Sequence, residues 1–358
     1  MKILFLTLGN ELVASSRTRV FQYLPHLQGR GMSTTIIRYQ SGADYWWAAR
    51  VVKGSRLIGA LSIVVRLGIR AYHMVRGKRM LRRLLVEAPN HDVVFIQKVV
   101  LPAKALQKLV AIGKPIVFDF DDAIYADDSY GGEGVRRIVS AADLVVVENS
   151  ETASFADSCG TASLRITGPI DCARYRPAER AQGDRVVLGW VGSGSTTVYL
   201  SQIEDPLRRI CERHPSVVLR LIGAGPIDLP GVPVERFPWR LEDEAVLLGE
   251  CNIGLMPLPD TPWARGKGGY KLLQYMASGL PSVCSPVGVN TELVAHGITG
   301  LHADSPEAWF ESLSALVENR PLRESMGRNA RTKAVADYSF EAATPILIEA
   351  MRSLRKTP

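Results

Sequence analysis

Residues 262–283 read PWARGKGGYKLLQYMASGLPSV. Arg265, Lys267 and Lys271 surround the glycine pair Gly268 and Gly269 at the expected start of an amphipathic helix. Leu272, Leu273 and Met276 form its apolar stripe, and Gly279 stops it. Cations in a first helical turn oppose the helix dipole, by about a few tenths of a kcal/mol each. The free N–H groups there bind anions instead. Solubilising lysines on an exposed face would not explain the glycines between them, whereas a bound diphosphate would. Lys271 follows Lys267 by one turn, and Gln274 lies three residues further on the same side.

Three other stretches carry reactive side chains. FDFDDAIYADD (118–128) sets Asp119, Asp121 and Asp122 at the end of a strand. Alternation predicts Asp119 and Asp121 on one face and Asp122 on the other, where carboxylates suit sugar hydroxyls or a divalent metal. A solvated acidic loop is the plainer alternative. NELVASSRTRVFQYLPHL (10–27) puts Ser15, Ser16, Arg17 and Arg19 where the first strand meets its helix, a natural setting for an anion. Either arginine serves equally as a structural ion-pair partner. GWVGSGSTTVYL (189–200) follows a strand with small residues. Gly192 and Gly194 allow close backbone approach, and Ser193, Ser195 and Thr196 offer hydroxyls to a phosphate. The stretch is neither GxGxxG nor a P-loop, and a plain glycine turn reads the same way.

The composition narrows the remaining chemistry. The six histidines have no ligand spacing, and the five cysteines are scattered without a CxxC pair. No metal site, disulfide framework or nucleophile elbow is therefore expected, and reduced thiols suit a cytoplasmic setting. His91, Cys172 and Cys284 read as structural. The net charge is +7, and residues 50–86 hold ten Lys or Arg and no acid. Basic side chains mixed with Leu, Ile and Val at helical spacing fit peripheral contact with an anionic membrane, or simply a solvated helix face. The run lacks the aromatic interleaving of a nucleic-acid site. No stretch is apolar enough for a membrane span, and the N-terminus reads as a first strand rather than a leader.

The elements that must hold these residues alternate along the chain. KILFLTL, STTIIRY, HDVVFIQK, KPIVFDF, ADLVVVE and SLRIT read as strands, with a helix over about 16–30 and others between the later strands. A second series begins at VVLGWVGSG and continues through VVLRLIGAG, VPVERF, CNIGLMPL, PSVCS and TGLHA. Short Val/Ile-rich runs are the mark of buried parallel strands, so the fold class is α/β with the same doubly wound architecture occurring twice. The polar stretch 172–185 reads as the linker. The first domain is expected over 1–180 and the second over 181–339. From Pro306 the chain is helical, with caps at Ser305 and Ser339, and the helix 340–358 is expected to return to the first domain.

Taken together, these stretches resemble the family-four retaining glycosyltransferases of GT-B fold. The likeness is carried by Cys251–Ala303 and by SSRTRVFQYLPHL, VFIQK, FDFDDAIY, ITGPIDCARYRP and GWVGSGSTTVYL, hence by most of the chain. It implies two Rossmann-like domains with a cleft between them. It also implies transfer of a hexose from a UDP- or GDP-linked sugar to an acceptor hydroxyl, with no cofactor and no essential metal. The implied setting is cell-envelope glycan or glycolipid synthesis at the inner face of the membrane. Many members carry two glutamates here, at positions matching Gly266 and Gln274. Gln274 can still bond ribose hydroxyls, but Gly266 has no side chain for the sugar. The diphosphate clamp then falls to Lys267 and Lys271 with Arg265, and the loop amides to Gly268 and Gly269. Asp121 and Asp122 match positions near the donor sugar or acceptor, and Trp239 lies in the region that cradles the base. The missing acid leaves room for a GT-B-like epimerase or phosphorylase, or for a non-catalytic nucleotide-sugar-binding protein.

Overall fold

The computed structural model describes residues 1–39, 75–127, 130–178 and 185–354. The chain divides into two units. The first comprises Met1–Glu148, Thr152–Ile166 and Thr344–Pro358, and the second Asn149–Glu151 and Thr167–Ala343.

In the first unit six parallel strands make one sheet: β1 (Lys2–Thr7), β2 (Ser33–Arg38), β3 (Val93–Gln97), β4 (Ile116–Asp119), β5 (Leu144–Val147) and β6 (Ser163–Arg165), in the order β2-β1-β3-β4-β5-β6. Every residue of β3, β4 and β5 is buried, which is why these runs are continuously apolar instead of alternating, up to the polar Gln97 and Asp119 that end β3 and β4. Leu4, Leu6, Val94, Ile96 and Phe118 anchor the core on one side of the sheet. The second unit repeats the plan with β7 (Val186–Val191), β8 (Val217–Ile222), β9 (Val234–Phe237), β10 (Ile253–Met256), β11 (Ser282–Cys284) and β12 (Gly300–His302). Its order is β12-β11-β10-β7-β8-β9. The strand order reverses between β1 and β3 in one sheet and between β7 and β10 in the other. Open α/β sheets bind ligands beyond the carboxyl ends of the strands at such reversals.

Local structure departs from the sequence reading in three places. The helix expected over 16–30 is broken into Ala14–Arg19, a 3-10 turn at Phe21–Tyr23 and Leu24–Gln28. Pro25, which lacks an N–H, is accommodated in a fresh first turn. The change of unit comes at Thr167, ahead of the expected boundary at 180. Ile170, Cys172 and Tyr175 join the core of the second unit, and Arg331 Nη1 donates to the carbonyls of Tyr175 and Ala277 while Nη2 donates to that of Cys172. Only part of the expected linker, 179–184, lies outside the described residues. The terminal helical region splits into Pro306–Glu318, Arg320–Tyr338 and Phe340–Ser353. Oxygens of Ser305, Asn319 and Ser339 accept from the N–H groups of Ala308, Leu322 and Ala342, as helix caps do.

Most of the basic run 50–86 lies outside the described residues. Residues 75–87 are helical, with Met80 and Leu84 buried and Lys78, Arg79, Arg82 and Arg83 exposed. None of the described helices is long and apolar enough to cross a membrane.

Gly254 of β10 fixes how closely the helix Tyr270–Ala277 approaches the second sheet. A Cβ there would stand 2.4 Å from the ring of Tyr275, a fully buried side chain that accepts from Val191 N and donates to Leu255 O. Gly254→Ala should therefore lower unfolding free energy by about 1–3 kcal/mol, read as a shifted urea midpoint at unchanged slope.

Candidate functional site

At the carboxyl end of the first sheet, Arg19 is enclosed. Its Nη2 lies 2.5 Å from Asp119 Oδ2, and its Nη1 donates to Glu148 Oε1 at 3.0 Å and to the carbonyl of Ile166 at 2.8 Å. Of the two roles open to Arg19, the structure takes the ion-pair partner; the guanidinium is fully buried and does not present itself to an incoming phosphate. Burial raises the Asp119 carboxyl despite Arg19, and raises Glu148 well above the usual carboxylate range. Arg17 is buried too, and its Nη1 donates to the Glu11 carbonyl.

Lys98, directly after β3, gathers the other two acids. Its Nζ donates to Asp121 Oδ1 at 2.6 Å and Asp122 Oδ2 at 2.9 Å, with Ser15 Oγ at 3.4 Å. Asp121 and Asp122 thus converge on one ammonium instead of turning to opposite faces, because β4 ends at Asp119 and strand alternation ends with it. Burial acts to raise Asp121, but Lys98 outweighs it and holds the carboxyl below its usual value. The two aspartates in turn keep Lys98 protonated against burial. Lys98 is also the one residue other than glycine with positive φ, 56°, among the described residues. Ser16 Oγ donates to Gln97 Oε1 at 2.9 Å, and the same oxygen accepts from Leu8 N, tying β1 to β3 at their ends.

In the second unit the reversal between β7 and β10 is occupied by Lys271. The helix Tyr270–Ala277 is preceded by Gly269, whose φ of 68° is a left-handed conformation that suits glycine. Lys271 is half-buried. Its Nζ lies 4.1 Å from the centre of the Trp190 ring and donates to Thr196 Oγ1 at 3.3 Å. A Cβ on Gly192 would come within 2.8 Å of that ammonium, so the small residue after β7 makes room for it. Neither contact is a carboxylate. Burial and the nearby charge of Lys267 bring the Lys271 ammonium down to about 7. Lys267 precedes the helix and lies 5.2 Å from the ring centre of Trp263. Its carbonyl accepts from Asn149 Nδ2 at 3.0 Å.

The other expected donor-side residues are placed less uniformly. Arg265 is exposed and forked onto Asp260, at 2.5 and 2.9 Å. Ser193 and Ser195 hydrogen-bond each other at 2.8 Å. Gly268 lies in the buried loop ahead of Gly269. Gln274 is buried, and its Nε2 donates to Tyr175 Oη at 2.9 Å. Trp239 Nε1 donates to Glu244 Oε1 at 2.7 Å, and Tyr175 Oη donates to the other oxygen of Glu244.

Lys98, Gln97, Glu148, Tyr175, Trp190 and Glu244 were not singled out in the sequence. Three of them carried a signal there: VFIQK and VVVENS each end an apolar strand in a polar residue, where side chains reach the ligand-binding edge of the sheet. Tyr175, Trp190 and Glu244 carried none, since their roles rest on partners distant in sequence or on a single aromatic in an apolar run. Among the described residues no group of three or more His, Cys, Asp or Glu is arranged to hold a metal ion.

Comparison with known proteins follows the same division. Residues 185–319 match the family described as Glycosyl transferases group 1. A D-inositol 3-phosphate glycosyltransferase from Corynebacterium urealyticum is 28% identical over 257 residues, 62% of this chain and 59% of that protein. The chain thus spans under two thirds of the length of that curated relative. Among solved structures, Anabaena Alr3699/HepE in complex with UDP and glucose superposes with a TM-score of 0.69, at 16% identity over 99% of this chain and 100% of the other. Sucrose-phosphate synthase from Thermosynechococcus elongatus gives 0.66, at 12% identity and 99% of each chain. The chain therefore has the two-unit α/β architecture of GT-B glycosyltransferase structures, with a glycosyl transferases group 1 match over residues 185–319 of its second unit.

Proposed function

We propose that the chain is a retaining glycosyltransferase that moves a hexose from a nucleoside diphosphate sugar to an acceptor hydroxyl. The observation that carries this reading is the Lys271 ammonium, half-buried at the strand reversal of the second unit and contacted by an indole and a hydroxyl. A cation so placed, beside Lys267 and the amides that open the helix Tyr270–Ala277, suits a diphosphate. Two comparisons support it: a relative is a D-inositol 3-phosphate glycosyltransferase, and the Anabaena neighbour holds UDP and glucose. UDP is accordingly the first donor nucleotide to test, with GDP second.

In this reading Lys267, Lys271 and the Gly268–Tyr270 amides stabilise the negative charge that develops as the bond between the sugar anomeric carbon and the diphosphate oxygen breaks. The acceptor oxygen forms the new bond on the same face, and its proton passes to the departing phosphate. Asp121 and Asp122, oriented by Lys98, are assigned to hydroxyls of the sugar or acceptor. Asp119 is taken up by Arg19, and Asp121 and Asp122 share Lys98, so each FDFDD carboxylate already has a protein cation as partner. That arrangement favours a reaction with no essential metal. The basic helical face at 78–83 is consistent with a setting at an anionic membrane surface, in glycan or glycolipid synthesis.

The doubly substituted Lys267→Ala/Lys271→Ala protein should bind UDP about 100-fold or more weakly by calorimetry, since each charged hydrogen bond lost is worth about 1.5–3 kcal/mol. Equal affinity in the double variant would remove the clamp. The pH dependence has a definite sign. Free Lys271 titrates near 7, and a bound diphosphate raises that value, so binding above pH 7 takes up a proton. Affinity should therefore fall as pH rises above 7, by at most about tenfold per unit. Lys271→Arg, which stays charged, should flatten the profile. Separately, transfer activity should survive excess EDTA; its loss would return Asp119 and Asp121 to the role of metal ligands.

A further inference from the structure

The second unit contains a chain of hydrogen bonds with only one possible direction. Trp239 Nε1 can only donate, and it donates to Glu244 Oε1 at 2.7 Å. Burial, followed by Tyr270 and Glu244, raises the Tyr175 phenol well above its usual value, so it keeps its proton and donates it to Glu244 Oε2. Having spent its proton there, the Tyr175 oxygen can only accept, which it does from Gln274 Nε2 at 2.9 Å. An amide turned the other way would place two oxygens together without a proton between them. The orientation of Gln274 is thus set by Glu244, two bonds away. Tyr175, Glu244 and Gln274 are 2%, 3% and 4% exposed, so water competes little for these bonds. The four side chains come from three stretches of the chain, at 175, 239–244 and 274, and the remaining atom, Gln274 Oε1, has no partner among the described residues.

We propose that Tyr175 and Glu244 are positioning residues that lock Gln274 with its carbonyl oxygen toward the ligand, so that the site selects a ligand group able to donate a hydrogen bond. This rests on the reading of Lys271 as the diphosphate site. Gln274 lies three residues beyond Lys271 on the same helix, so a group it meets is one bonded to that diphosphate. In a nucleoside diphosphate such a group is the ribose, whose hydroxyls donate. Glu244 also anchors Trp239, so a single carboxylate fixes both an amide and an indole of the donor side. A glutamate at 274 would offer an acceptor oxygen directly, but beside the buried Glu244 carboxylate it would add a second negative charge. Glutamine supplies the acceptor without the charge, provided that something fixes which end faces outward.

The test compares UDP with 2′,3′-dideoxyuridine diphosphate by calorimetry in the native protein, Tyr175→Phe and Glu244→Gln, with melting curves to confirm folding. The native protein should prefer UDP by about tenfold or more, the scale of one hydrogen bond to a buried acceptor. Tyr175→Phe frees the amide to turn; it should bind UDP more weakly and lose most of the preference, while the dideoxy nucleotide binds as before. Glu244→Gln, which can still hold Tyr175 while losing its charge, should fall between. A preference unchanged in Tyr175→Phe, with UDP binding still dependent on Lys271, overturns the proposal and leaves the donor-site reading standing. UDP binding that ignores Lys271 overturns that reading itself. If Tyr175→Phe fails to fold, the comparison in Glu244→Gln decides: a full native preference there counts against the lock.

Discussion

The ammonium of Lys271 rests on the indole of Trp190, and much of the second unit is arranged to let it. β7 delivers Trp190 and, just past its end, Gly192 has no side chain, so that the lysine can reach back over the strand end. Thr196 supplies a hydroxyl from the following loop, and the left-handed Gly269 turns the chain so that the helix starts close by. A cation held this way is stabilised by the ring quadrupole and by little else. The loss of charge stability is visible in its lowered affinity for a proton. An anion arriving there would restore what burial took away, which is the physical ground for proposing a diphosphate at Lys271.

The first unit handles charge in the opposite manner. Arg19 and Lys98 each meet two carboxylates, and all six side chains gather near the carboxyl end of the sheet. Four acids against two bases leave a surplus of negative charge, part of which is relieved because burial favours the protonated form of Glu148. Such a cluster favours hydroxyl and ammonium groups over phosphates. Two sheets of nearly the same topology are thus given opposite electrostatic characters by a few side chains at their strand ends. Fold and chemistry are specified separately here.

The sequence made the α/β class and the repetition plain, because fully buried parallel strands leave continuous apolar runs. It also marked Lys271 as a candidate, since glycines flanked by lysines at a helix start suit an anion. Other features were hidden for identifiable reasons. Arg19 looks the same in sequence whether it awaits a phosphate or is enclosed by Asp119 and Glu148, which lie 100 and 129 residues away. Tyr175 sits in a polar stretch that reads as a linker, yet it packs in the core because Arg331, 156 residues on, caps the carbonyls around it. The sequence shows Gln274 as able to bond ribose hydroxyls, but its amide is oriented by Tyr175, a partner 99 residues away that no local pattern announces.

The left-handed backbone at Lys98 has a consequence for how this chain can change. A non-glycine residue at φ 56° costs stability that a glycine would recover. Yet glycine there would leave Asp121 and Asp122 side by side with no cation. Selection for stability alone would remove the lysine; selection for the arrangement of the two aspartates keeps it. The position therefore marks a place where the fold accepts backbone strain in exchange for a cation between two carboxylates.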